Sequence, residues 1–148
     1  MARLSLIDIG IPFNQELREM AHIYYNPNPS GKRVGDCVIR GISFVTGLTW
    51  EKTYIDICMC GYNLHDMPSS NHVWMSFLYS MGFDRVNIPD TCPMCYTVED
   101  FCKDHPNGTY LLGTGTHVVA VKGGNYYDAW DSGNEVPIYY WEERSQSS

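Results

Sequence analysis

The chain has 148 residues, 44% of them hydrophobic and 14% aromatic, with a formal charge of −7 and a pI near 5.0. That is apolar material for one ordinary core, and nothing in length or composition indicates a second domain. The acidic balance excludes a nucleic-acid surface, since Lys32-Arg33 is the only cluster of cations that stands out. No stretch approaches the length of a membrane span, and the opening apolar run is too short, and too soon broken by Asp8, for an export signal. The expected location is therefore the cytoplasm, with neither nucleic acid nor membrane as a partner, and the six cysteines are expected to be reduced. In that setting the Asn107-Gly108-Thr109 sequon carries no weight.

Leu4 to Ile9 reads as a short strand or extended lead. Asn14 to Tyr25 has the apolar spacing of an amphipathic helix capped by Asn14. The loop from Asn26 to Gly35 contains two Asn-Pro pairs that exclude regular helix. It leads to Asp36-Cys37, and Asn26 and Asn28 are candidates for stabilising an oxyanion there.

From Cys37 to Leu48 only Arg40, Ser43 and Thr46 are polar, which predicts a largely buried helix with Asp36 as N-cap. A cysteine in the first turn of such a helix meets unpaired backbone N–H groups and the positive end of the helix dipole, and both favour the thiolate. The competing reading of Cys37 is a small buried hydrophobe.

Thr49 caps a further helix expected to reach about Cys60 and to end at Gly61, and Asn71 opens another that ends near Gly82. Thr97-Val-Glu-Asp100 has the form of a capping box, opening a short helix that closes at His105-Pro106. Beyond it the pattern is strand-like, over Thr109–Leu112, His117–Lys122, Asn125–Trp130 and Pro137–Trp141, with Gly123-Gly124 as a hairpin turn. Residues 142–148 read as a flexible polar tail. A helical first half packed on an antiparallel sheet gives the fold class α+β.

His117 opens one strand of that hairpin. A three-residue loop would set it across from Asp131. A two-residue loop would set it across from Trp130, with Asp128 one diagonal step away. Asp131 is the preferred partner, because Asp131-Ser132-Gly133 lies where the chain leaves the sheet. A carboxylate taking the Nδ1 proton would leave Nε2 facing a thiol, the base-and-orienter arrangement of a catalytic triad. The competing reading leaves both aspartates facing solvent.

Cysteine at a buried helix N-terminus, then histidine opening a strand, then aspartate near the end of the next, resembles the papain-like cysteine peptidase superfamily. Gly35-Asp-Cys-Val-Ile-Arg40, His117-Val-Val-Ala-Val and Tyr127-Asp-Ala-Trp-Asp131 look like small papain-like proteins of bacterial and phage genomes. The resemblance implies a papain-like fold with Cys37 as nucleophile, His117 as general base and acid, and Asp131 as the orienting group. The chain departs from it where many papain-like enzymes carry an oxyanion-hole glutamine, a position occupied here by Gly31. The backbone N–H of Cys37 and an asparagine side chain are left to take that role.

Arg40, one turn beyond Cys37, is a candidate for binding a substrate carboxylate, or else a structural partner for a nearby aspartate. Cys58-Met-Cys60 and Cys92-Pro-Met-Cys95 offer thiolates for zinc, with Cys92 and Cys95 the better half-site, but the spacing departs from the usual ligand patterns, and no metal or cofactor is expected. Cys102 reads as core. The expected activity is cleavage of an amide or acyl bond in a peptide or amide substrate, through a thioester on Cys37. The alternative is a non-enzymatic interaction module, either a papain-like fold without turnover or a zinc-stabilised adaptor.

Overall fold

A computed structural model describes residues 20–145. The expected Leu4–Ile9 lead and the first part of the Asn14–Tyr25 helix lie outside the described residues. The elements run β1 (His22–Tyr24), α1 (Cys37–Thr46), α2 (Trp50–Leu64), α3 (Asn71–Ser80), β2 (Phe83–Asn87), α4 (Val98–Asp104), β3 (Thr109–Gly113), β4 (Val118–Lys122), β5 (Asn125–Asp128) and β6 (Tyr139–Glu143). The six strands form one sheet in the order β1-β5-β4-β3-β6-β2. Neighbours are antiparallel except for β1 and β5, which run parallel.

Strand alternation divides the core between the two faces of the sheet. Leu111, Val118, Tyr139 and Trp141 point to the side covered by the first three helices, where Ile42, Ile57, Trp74 and Leu78 meet them. Leu112, Val119, Val121 and Tyr126 point to the other side, which Phe101 and Cys102 of α4 cover. Cys102 is thus a core residue, as its place on a short amphipathic helix implies, and burial pushes its thiol pKa up to about 12.

Helix α1 rests directly on β3 and β4. Gly41 permits the approach: a Cβ there would sit 2.5 Å from Leu111 Cδ1. The contact holds the start of α1, and with it Cys37, against the start of β4 at Val118. Thr97 and Asp100 form the full capping box that opens α4.

Three expectations are corrected, and one further strand is added to them. Residues 22–24 form strand β1 rather than the end of a helix, because the open edge of β5 supplies backbone partners that outweigh the local apolar spacing. Gly61 does not stop α2, which continues to Leu64: the chain folds back so closely that a Cβ on Gly61 would lie 2.8 Å from the Asp66 carbonyl oxygen. Strand β2, polar and unrecognised in sequence, exists because β6 offers it a ladder. The supposed tail contributes Glu142 and Glu143 to β6, and Arg144 pairs with Asp84 at 2.9 Å. Among the described residues no helix is long and apolar enough to cross a membrane.

Candidate active site

Cys37 is the first residue of α1, with Asp36 in the N-cap position. The Asp36 carboxylate makes no capping bond, contrary to the expectation from sequence. One of its oxygens accepts from Arg40, and the other accepts from Trp50 Nε1 at 2.8 Å. The opposite end of the Arg40 guanidinium donates to Asp128 Oδ1 at 3.0 Å. Arg40 is therefore a buried cation clamped between two buried carboxylates, its side chain 8% exposed against 6% for Asp36 and 1% for Asp128. All its charge is engaged internally, so the substrate-binding role considered for it gives way to the structural one.

His117 lies just before β4 and is fixed by a tight turn. Its backbone N–H donates to Thr114 Oγ1 at 3.0 Å, and its carbonyl accepts from the Thr114 N–H at 2.7 Å. The loop between β4 and β5 is Gly123-Gly124, with Lys122 paired to Asn125. This two-residue register extends to set Trp130 opposite His117, and the two rings are 4.9 Å apart.

The same register selects the carboxylate. His117 Nε2 lies 2.6 Å from Asp128 Oδ2. Asp131 is exposed and accepts instead from Tyr126 Oη at 2.5 Å and from the Gly133 N–H at 3.1 Å. The preference for Asp131 is thus corrected to Asp128, because a loop one residue shorter turns Asp131 to the other face. The ring orientation is also the reverse of that expected. Nε2 meets the carboxylate, and Nδ1 is left for the thiol.

Asp128 is saturated with donors: Arg40 and the Ala129 N–H on Oδ1, His117 and Ser132 Oγ on Oδ2. Burial opposes its charge most strongly. The hydrogen bonds from His117 and Ser132 and the charge of His117 outweigh that and hold its pKa below the usual carboxylate value. Burial likewise works against a protonated His117, but its bonds to Asp128 and Cys37 and their charges push its pKa up to about 9. For Cys37, burial would raise the pKa. The hydrogen bond and charge of His117, the Val118 N–H and the Arg40 charge carry it below its ordinary 9.0. The two shifts share one cause, since each group favours the charged form of the other.

The pair opens into a cleft of about 780 Å³ walled by Trp50, Tyr54, Ile57, Trp74 and Tyr139. Asn28 lines it, its Oδ1 held by the Ser30 N–H at 2.9 Å, so its amide N–H₂ is the donor it can present. Asn26 is spent elsewhere, donating to the Lys32 carbonyl at 3.1 Å, and so braces the loop. Gly31 brings no side-chain donor.

Cys92 and Cys95 are exposed, and Cys58 and Cys60 are half-buried on α2. Among the described residues no three His, Cys, Asp or Glu side chains are grouped closely enough to hold a metal ion. Sequence reasoning missed the contributions of Trp50, Ser132 and Thr114. Only the four-residue spacing Asp128/Ser132 hints at one of them.

The fold and site define a mixed α+β protein in which Cys37 and His117 line one cleft and the buried Asp128 holds His117 from behind at 2.6 Å. No family model, no curated protein and no solved structure matches the chain.

Proposed function

We propose that the protein is a cysteine hydrolase of papain-like type, a peptidase or amidase with Cys37 as nucleophile, His117 as general acid and base, and Asp128 as the group that orients His117. The observation that carries this reading is the grouping itself: a thiol of lowered pKa at a helix N-terminus, sharing a cleft with a histidine that is held 2.6 Å from a buried carboxylate. Such pairing in an open cleft serves nucleophilic catalysis better than it serves packing, since burial alone would keep both groups neutral.

In the acylation step the Cys37 thiolate adds to the substrate carbonyl, and the carbonyl π pair moves onto oxygen. The Cys37 N–H and the Asn28 amide, which lines the same cleft, are the donors assigned to that oxyanion. Collapse re-forms the carbonyl and breaks the C–N bond, while the imidazolium gives its Nδ1 proton to the departing amine. His117, now neutral, takes a proton from water, which attacks the thioester and releases the acid and the thiolate. Asp128 stays ionised throughout and stabilises the imidazolium.

The test is alkylation by iodoacetamide as a function of pH, with sites identified by mass spectrometry, in wild type and His117→Ala, followed by cleavage of a peptide library with Cys37→Ala as control. Cys37 is expected to react fastest of all the cysteines, at a pH below its ordinary titration, and to lose this on removal of His117. A Cys37 no faster than Cys92 or Cys95 at neutral pH, and unaffected by His117→Ala, overturns the proposal.

A further inference from the structure

The region around Cys37 carries a charge opposite to that of the chain. The protein has a formal charge of −7. Two depressions meet at Cys37 and His117: the main cleft, and a smaller one of about 560 Å³ that reaches Arg33 and Trp130. Among the described residues the only carboxylate lining either is Asp36, whose oxygens are taken by Arg40 and Trp50. The cations are not neutralised in this way. Lys32 lines the main cleft and Arg33 the smaller one, both are exposed, and neither joins the ion pairs formed among the described residues.

Backbone bonds fix the loop that carries these two cations. Asn26 Nδ2 grips the Lys32 carbonyl at 3.1 Å, the Gly31 N–H donates to the Asn28 carbonyl at 2.8 Å, and the loop is tied to β5 where the Tyr25 N–H meets the Asp128 carbonyl at 2.9 Å. Its other end is anchored by Asp36. The exposed Trp130 ring flanks the smaller depression, and a low-dielectric wall beside a guanidinium strengthens its field. The N-terminus of α1 adds potential of the same sign.

Resting on the hydrolase reading above, we propose that the substrate is anionic: an amide or peptide carrying a carboxylate beside the scissile bond, received by Arg33 in the depression flanked by Trp130, with Lys32 adding its charge from the adjoining main cleft. A guanidinium suits a carboxylate because its N–H groups match the two oxygens in one plane. Charge lining a cleft of this kind raises association rates by roughly 10- to 1,000-fold, an effect that salt removes.

Iodoacetate and iodoacetamide test this directly, since they differ by one carboxylate and both alkylate the same sulfur. The readout is the ratio of their rate constants at Cys37, in wild type, in Lys32→Gln/Arg33→Gln and in the charge-conserving Lys32→Arg/Arg33→Lys, at low and high salt. The glutamine variant is expected to lower the ratio about tenfold. The conservative variant should keep it, and high salt should bring wild type down to the glutamine variant. A ratio that ignores both salt and the glutamine substitutions overturns the anionic substrate and leaves the hydrolase reading standing. A Cys37 inert to both reagents overturns the hydrolase reading, and this inference with it.

Discussion

Arg40→Met tests the buried network most severely. The substitution keeps most of the side-chain volume and removes the cation between Asp36 and Asp128, whose side chains are 6% and 1% exposed. Removing one partner of a buried pair costs about 3–5 kcal/mol, because the remaining charge is left without its counter-charge in a medium that solvates it poorly. Two carboxylates are left here. Asp36 keeps its bond from Trp50, and Asp128 keeps His117, Ser132 and the Ala129 N–H, so the lower part of that range, about 3 kcal/mol, is expected. That is a large share of the 5–15 kcal/mol typical of a whole domain, and corresponds to a fall in melting temperature on the order of 10 °C for a chain of this size. The assay is urea and thermal unfolding followed by circular dichroism, in wild type, Arg40→Met, Asp36→Asn and the double variant. Asp36→Asn should cost less in the Arg40→Met background than in wild type, with a coupling of about 1–3 kcal/mol between contacting charges. A loss under about 1 kcal/mol for Arg40→Met, the value typical of an exposed pair, or strict additivity of the two substitutions would refute the reasoning.

Three further outcomes are expected. Asp128→Asn places an N–H₂ group among donors, so the His117 pKa should fall and that of Cys37 rise. The alkylation profile of Cys37 with iodoacetamide should therefore move to higher pH, while Asp131→Asn should leave it unchanged. Amide cleavage needs thiolate and imidazolium together. It should therefore rise with pH through a Cys37 titration below 9.0 and fall again around pH 9, as pH–rate profiles would record, whereas alkylation, which needs only the thiolate, should not fall on the alkaline side. Gly41→Ala drives a methyl against Leu111 Cδ1, 2.5 Å from the ideal Cβ, and should cost about 1–3 kcal/mol in urea unfolding; a neutral result would mean that α1 can lift off the sheet.

The sequence alone determined what depends on neighbouring residues. The apolar run after Asp36 announced α1 and the start of that helix at Cys37, Thr97 with Asp100 announced the capping box, and Gly123-Gly124 announced the hairpin that brings His117 near a carboxylate. These signals are local, because N-caps, glycine turns and apolar periodicity act over a few residues. The tertiary structure decided the rest. Asp128 rather than Asp131 meets His117 because a sheet alternates faces, and one residue of loop length reverses which aspartate faces inward. Strands β1 and β2 exist because β5 and β6 present free edges to them, which no propensity in His22–Tyr24 or Phe83–Asn87 could reveal. Arg40 became a clamp rather than a substrate ligand because the fold sets Asp128, 88 positions away along the chain, within 3.0 Å of it. A buried charge is defined by the partners brought to it, and those partners are assembled only when the chain closes on itself.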